Sequence, residues 1–246
     1  AWLGKATERI FLAPIKMTMV PEIVDMDMPV EGVFHNLVIT QIHKEYAGQG
    51  QKVMNAMWGA GQMMFNKILV LADTGVRIQD YGALARYVFK NLDVANDVVF
   101  STGPMDVLDH SCSKMGFGGK MCIDGTAKQV EELDDANHFS AAAVLTSLRA
   151  EDFAAYPEIK AVNLSLLQQQ IPCLVISLEK SRAGHVKSLH TALCEQLPAM
   201  ESVKMVLYVE HTVDPNNLTV ALWRFCNNLD PKRDQFLFSK PAVSEK

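Results

Sequence analysis

Apolar positions along the chain recur with two periods, and the switches between them outline the elements. Residues 4–13 carry a helical spacing that Pro14 is expected to end or kink, since proline removes a backbone donor and crowds the preceding turn. Met26 and Met28 alternate with Asp25 and Asp27, the mark of a half-buried strand, and Asn36–Ile42 is a stronger strand pattern. Gly48–Phe65 reads as a helix with Val53, Met54, Met57, Trp58, Met64 and Phe65 on one side, a core stripe. Ile68–Ala72 is a continuous apolar run, typical of a strand buried on both faces. Ile78, Leu84, Val88 and Leu92 mark the next helix, and Asp97–Ser101 the next strand. Strands alternating with helices predict an α/β fold with a largely parallel sheet.

The same series then repeats. Val20-Pro-Glu-Ile23 recurs as Tyr156-Pro-Glu-Ile159, Leu37-Val-Ile-Thr40 as Leu174-Val-Ile-Ser177, Ala47-Gly48 as Ala183-Gly184, Lys67 as Lys204, and Asn91-Leu-Asp93 as Asn228-Leu-Asp230. Self-similarity at a nearly constant shift predicts two similar sequential α/β lobes from an internal duplication, each with a largely parallel sheet flanked by helices. The lobes are expected at 1–136 and 137–246, with Ala127–Asp135 as a surface helix or linker. Only the first lobe carries the stretch 104–126.

Composition narrows the function classes. A chain of 246 residues with net charge −5 and no long basic run is a poor match for nucleic acid. Its apolar runs fall far short of the roughly 18 residues of a membrane span. Five cysteines without CxxC spacing fit reduced thiols in a cytoplasmic protein better than a disulfide frame or a zinc site. The chain opens on Ala1-Trp-Leu-Gly and enters a helical pattern at once, as a piece of something longer would.

The least repetitive stretch holds the candidate chemistry. Gly116, Gly118 and Gly119 lead into Lys120. Such glycines either make turns in a surface loop or let exposed N–H groups and the lysine cradle an anion. The next residue, Met121, excludes the P-loop pattern. Asp106, Asp109 and His110 read as a metal or proton-relay cluster or, more simply, as a turn in which carboxylates hold backbone N–H groups. Cys112 and Cys122 flank the loop as spectator thiols, and His35 and His43 are lone imidazoles.

Four stretches, Met28–Asn36, Glu45–Met54, Gly103–His110 and Gly119–Thr126, together resemble the C-terminal part of UbiD-type decarboxylases (3-octaprenyl-4-hydroxybenzoate carboxy-lyase-like), and the second lobe resembles an extension of longer, menaquinone-linked members. The resemblance implies non-oxidative decarboxylation of an aromatic or α,β-unsaturated acid, such as a quinone precursor, with prenylated FMN as cofactor. By position, Lys120 is the lysine that reaches the flavin phosphate. Gly119, Cys122 and Gly125 depart from the serine, glycine and alanine common there. The resemblance further implies an N-terminal domain of the same enzyme that holds the metal ions and the catalytic residues. This chain then carries no catalytic residue and no metal ligand, is inactive by itself, and joins a homo-oligomer. The alternative is a non-catalytic duplicated scaffold that assembles subunits. In either case Lys120, set in an open turn, is expected to be dispensable for folding.

Overall fold

The structure, a computed structural model, describes residues 2–133 and 147–238; the expected boundary at 136/137 lies outside them. Two sheets form the frame. The first is built from β1 (Ile23–Asp27), β2 (Leu37–Ile42), β3 (Ile68–Asp73), β4 (Val98–Pro104) and β5 (Phe117–Asp124), in the order β1-β2-β3-β5-β4. The second is built from β6 (Ile159–Asn163), β7 (Cys173–Leu178) and β8 (Met205–Glu210), in that order.

Neither sheet is largely parallel, which corrects the expectation. β2–β3 and β3–β5 are parallel, whereas β1–β2 and β4–β5 are antiparallel. In the second sheet β6–β7 is antiparallel and β7–β8 parallel. The reason lies in the connections. A parallel crossover needs about a dozen residues, usually a helix. β2 reaches β3 through helix α2 (Gln49–Trp58), but β1 reaches β2, and β4 reaches β5, without a helix longer than a 3-10 turn. The one-turn helices α4 (Val94–Asp97) and α5 (Ser165–Gln168) precede β4 and β7.

The first three strands of each sheet share a pattern. Both antiparallel pairs slip register near their start, at Ile23/Asp25 and at Ile159/Ala161. After β2 and after β7 the chain enters a helix, α2 or α6 (His185–Gln196), through a glycine of positive φ, Gly48 at 77° and Gly184 at 73°. A side chain there would be strained, so both glycines are dictated by the entry turn.

The opening helix α1 (Trp2–Thr18) runs through Pro14 instead of stopping at it. It is held on both sides of the proline: Glu8, buried, accepts from the Met28 N–H at 2.6 Å, and Ile15 enters the core with Val20 and Met26. The expected helix Gly48–Phe65 is interrupted at Gly59, and a 3-10 turn at Gly61–Phe65 replaces its end.

The two halves share a layer. Helix α3 (Tyr81–Asn91) covers the first sheet through Leu84 and Val88, packed with Ile39 and Ala72. Helix α7 (Leu218–Asn228), from the second half, covers the same sheet beside it. Its Cys226 is packed with Leu37, Ile68 and Met121, while Ala221 joins Val175 and Val209 of the second sheet. Polar latches add to this. The Lys204 ammonium donates to the carbonyls of Phe89 and Leu92 at the C-terminus of α3, both at 2.7 Å, and Asp230 accepts from the Gly119 N–H at 3.0 Å.

Candidate functional site

Open α/β sheets bind ligands outside the carboxyl ends of their parallel strands. Here those ends are Ile42, Asp73 and Asp124. Just past β2, the Lys44 side chain is almost fully buried, and its ammonium donates to Thr126 Oγ1 at 3.0 Å, the Ala127 carbonyl at 3.0 Å and Glu132 Oε2 at 2.6 Å. The Glu132 carboxylate also accepts from the Gly48 N–H at 2.8 Å and the Gln129 N–H at 2.8 Å. Gly48 caps α2, so this carboxylate rests on a lysine and on the positive end of a helix dipole, the arrangement that binds anions. Burial opposes its charge, yet the bonds from Lys44, Gly48 and Gln129 hold the Glu132 carboxyl below its usual range.

Beside this seat lies a cleft of about 170 Å³ lined by Gly48, Gly50, Asp97, Asp124 and Glu132. A side chain at Gly50 would run into the Asp124 carboxylate, so the first turn of α2 can approach β5 only as glycine. Asp124 in turn accepts from the N–H and hydroxyl of Thr126, at 3.0 and 2.6 Å. Burial pushes the Asp97 carboxyl up despite its 2.8 Å contact with Lys128. The seat was not foreseen from sequence. Lys44 stands two residues past the end of β2, and Glu132, which completes the seat, lies 88 positions further on.

Lys120 has a setting different from the one expected. It lies inside β5, 2% exposed, and its ammonium donates to the carbonyls of Met64 and Asn66, both at 2.6 Å. These carbonyls end the 3-10 turn before β3 and have no strand partner, so the lysine completes the backbone there. Burial lowers its pKa to about 8, with Cys112 and Asp109 working in the other direction. The open turn is therefore replaced by a buried backbone brace.

A second buried lysine stands alongside. Lys67, fully buried, lies 2.7 Å from Asp109 Oδ2 and donates to Ser111 Oγ at 2.9 Å. The turn reading of the acidic stretch agrees with the geometry: Asp106 accepts from the Leu108 N–H, and Asp109 from the Ser111 N–H and hydroxyl. The ion pair with Lys67 is an addition that spacing did not reveal. His35 is buried 3.4 Å from Asp106, and burial lowers its pKa; His43 and His110 are exposed. Burial raises the thiol pKa of Cys112 and, further, of Cys122. Among the described residues no group of three His, Cys, Asp or Glu side chains could hold a metal ion, and no helix is long and apolar enough to cross a membrane.

The family model of the 3-octaprenyl-4-hydroxybenzoate carboxy-lyase C-terminal domain matches residues 1–125 and again 138–244. An uncharacterised protein of Helicobacter pylori is 35% identical over 240 residues, 95% of this chain and 36% of its own length. One from Archaeoglobus fulgidus is 50% identical over 133 residues, 54% of this chain and 27% of its own. The chain thus spans about a third of the length of these relatives, or less. Among solved structures, the UbiD-class enzyme HmfF from Pelotomaculum thermopropionicum in complex with FMN aligns at TM-score 0.47 and 21% identity, over 62% of this chain and 33% of its own. Vanillic acid decarboxylase of Sedimentibacter hydroxybenzoicus, in closed form, aligns at 0.45 and 23%, over 50% and 26%.

Proposed function

The chain belongs to the family of 3-octaprenyl-4-hydroxybenzoate carboxy-lyase C-terminal domains, and on that premise we propose that it is the C-terminal portion of a non-oxidative decarboxylase acting on an aromatic or α,β-unsaturated acid. The observation that carries this reading is the match of that one family model to both halves of the chain. It also supports a duplicated origin for the halves, together with the shared strand pairing and the paired glycines Gly48 and Gly184.

In this reading the cofactor is prenylated FMN, which supplies the electron sink for loss of CO₂. The residues present fit its phosphate. Lys44 and the N–H groups of Gly48 and Gln129 converge on one point, where the chain's own Glu132 carboxylate sits as a stand-in anion. The contact implied by the resemblance, from Lys120, remains part of the proposal. Two of its three N–H bonds go to backbone carbonyls, leaving one for a phosphate oxygen. Of the two, the geometry favours Lys44, because its donors already hold an anion. The N-terminal domain of the same enzyme would complete the site, and the subunits would form a homo-oligomer. In this reading the role of this chain's residues is to bind and orient, and acid, base and nucleophile come from the N-terminal domain.

Flavin titration of the full-length protein tests this. Lys44→Ala should weaken binding by about 10- to 150-fold, the worth of a charge-assisted hydrogen bond. Unchanged affinity in both Lys44→Ala and Lys120→Ala would refute a phosphate contact from this chain. Chain 1–246 supplied with cofactor should release no CO₂.

The scaffold reading keeps one observation in its favour: the contacts of Lys204, Asp230 and α7 bind the second half to the first and touch nothing in the anion seat. A full-length protein that neither binds flavin nor releases CO₂ would establish it.

A further inference from the structure

A second cavity lies on the other face of the first sheet. Alternation along the strands sets the two apart. Val99, Cys122 and Asp124 line the cleft near Glu132, whereas Val98, Phe100, Met121 and Ile123 line a cavity of about 1070 Å³ between the first sheet, α6 and β8. Val186, Leu207 and Phe225 extend its apolar wall.

Helix α6 presents a nucleophile to this space. Lys187, His190 and Cys194 stand at i, i+3 and i+7, the spacing of one helix face, and all three line the cavity. Cys194 Sγ lies 3.5 Å from His190 Nε2, within reach of a thiol hydrogen bond. The other ring nitrogen, Nδ1, lies 2.8 Å from the Tyr208 hydroxyl, which comes across from β8. Phe236 and Phe238 each meet the imidazole edge-on at 5.3 Å and pack it from the segment after α7. A thiol, a base within its reach and a third group that orients the base form the arrangement that activates a cysteine. Burial lowers the pKa of His190, so the ring is neutral at neutral pH and can accept a proton. Burial raises that of Tyr208, which stays a phenol.

The other thiols lack this arrangement. Cys122, Cys173 and Cys226 are buried, and burial pushes the last two up to about 12. Cys112 is half-buried, as Cys194 is, but burial and the Asp109 charge both raise its pKa. Exposure alone therefore does not set Cys194 apart; the imidazole does. The surroundings point to the electrophile. An apolar cavity of this size suits a hydrocarbon chain. Lys180 and Lys187, exposed along the same lining, make no ion pair among the described residues and can meet an anionic carrier.

We propose that Cys194 is an acylation site, which takes a medium-length acyl group from a thioester of an anionic carrier and holds its chain in the cavity. As Cys194 Sγ attacks the thioester carbonyl, its proton passes to His190 Nε2, and the Nδ1–H of the resulting imidazolium donates to Tyr208 Oη. Collapse breaks the carbon–sulfur bond to the carrier, whose thiolate takes the proton from Nε2. One carbon–sulfur bond forms and one breaks, so neither oxidant nor reductant is needed. The inference rests on the cavity and its thiol–imidazole pair and is independent of the decarboxylase reading.

The probe is octanoyl-coenzyme A, incubated with the 246-residue chain and followed by intact and peptide mass spectrometry. One octanoyl group is expected, on the peptide that carries Cys194, and neutral hydroxylamine should release it. Cys194→Ala should remain unmodified, while Cys112→Ala should react at the wild-type rate. His190→Ala should react about 100-fold more slowly, the worth of a general base, with an unchanged near-ultraviolet circular dichroism spectrum. Acetyl-coenzyme A should react more slowly by at least about 10-fold, a factor that two buried methylenes already supply. Octanoyl-N-acetylcysteamine, which lacks the phosphates of the carrier, should also react more slowly. Absence of octanoyl transfer, transfer to Cys112 as fast as to Cys194, or an unchanged rate in His190→Ala would overturn the proposal. So would equal rates for octanoyl-coenzyme A and either the acetyl or the phosphate-free thioester.

Discussion

Replacing Lys120 by methionine keeps the length of the side chain and removes its donors. In the folded protein that ammonium is enclosed by β5 and the 3-10 turn before β3, and its two carbonyl partners are Met64 and Asn66. Burial holds its pKa near about 8 instead of the ordinary 10.5, a difference worth on the order of 3 kcal/mol. Below about pH 8 the lysine is charged in both folded and unfolded states, and the wild type bears the whole desolvation cost. Between about pH 8 and 10.5 the unfolded chain binds the proton and the folded one does not, so stability gained from this residue rises with pH. Methionine removes that cost and also leaves two buried carbonyls without a donor, at about 1–3 kcal/mol each. At pH 7 the two effects oppose, and Lys120→Met should be destabilised by only about 1–2 kcal/mol. At pH 10 the relief is gone and the deficit should widen by about 2–3 kcal/mol. Urea denaturation of both proteins at pH 7, 8, 9 and 10 measures this, the difference between them cancelling every other titrating group. A difference that stays flat with pH would show that Lys120 keeps an ordinary pKa and an open setting. No difference at any pH would restore the expectation that the residue is dispensable for folding.

Gly119→Ser should lower the melting temperature by several degrees, because a side chain there would run into Asp230 and the Lys232 backbone; an unchanged melt would mean that the 230–232 turn yields freely. Lys204→Met should cost about 1–3 kcal/mol by leaving the end of α3 uncapped, read from urea midpoints. Glu132→Gln should strengthen binding of inorganic phosphate at Lys44 in calorimetric titration, as the resident carboxylate no longer competes. The stability that Glu132 contributes should be present above about pH 4.5 and disappear as pH falls through its lower folded pKa, since a depressed carboxyl loses its bonds on protonation.

The pattern of apolar residues revealed β1 to β4, β7 and most helices because each buries a face, and burial leaves a period in the sequence, whereas β5 was read as a glycine turn. Ile68–Ala72 and Leu174–Val175 were legible for that reason. Direction of pairing was not, since it depends on whether a connection holds a helix long enough to cross over, and the segment between β4 and β5 reads equally as a loop or as a hairpin return. Lys120 was misplaced for a related reason. Glycines suggested an open turn, but Gly118 and Gly119 are small because the Cys112 side chain and Asp230 press against the strand there. The departure of Gly119 from the family's serine thus records a neighbour 111 positions away, which no local motif can show. Lys44 was passed over because a single lysine after a strand carries no signal until Glu132 is folded against it.

Helix α7 belongs to the second half by sequence and to the first sheet by packing. Cutting the chain between the halves would therefore not yield two smaller proteins. It would expose Leu37, Ile68 and Met121, along with the α3 carbonyls that Lys204 caps, and would leave the second sheet without Ala221. The halves should unfold in one cooperative transition, with calorimetric and van't Hoff enthalpies in agreement. A chain that carries only the first half must cover that strip of sheet with another surface.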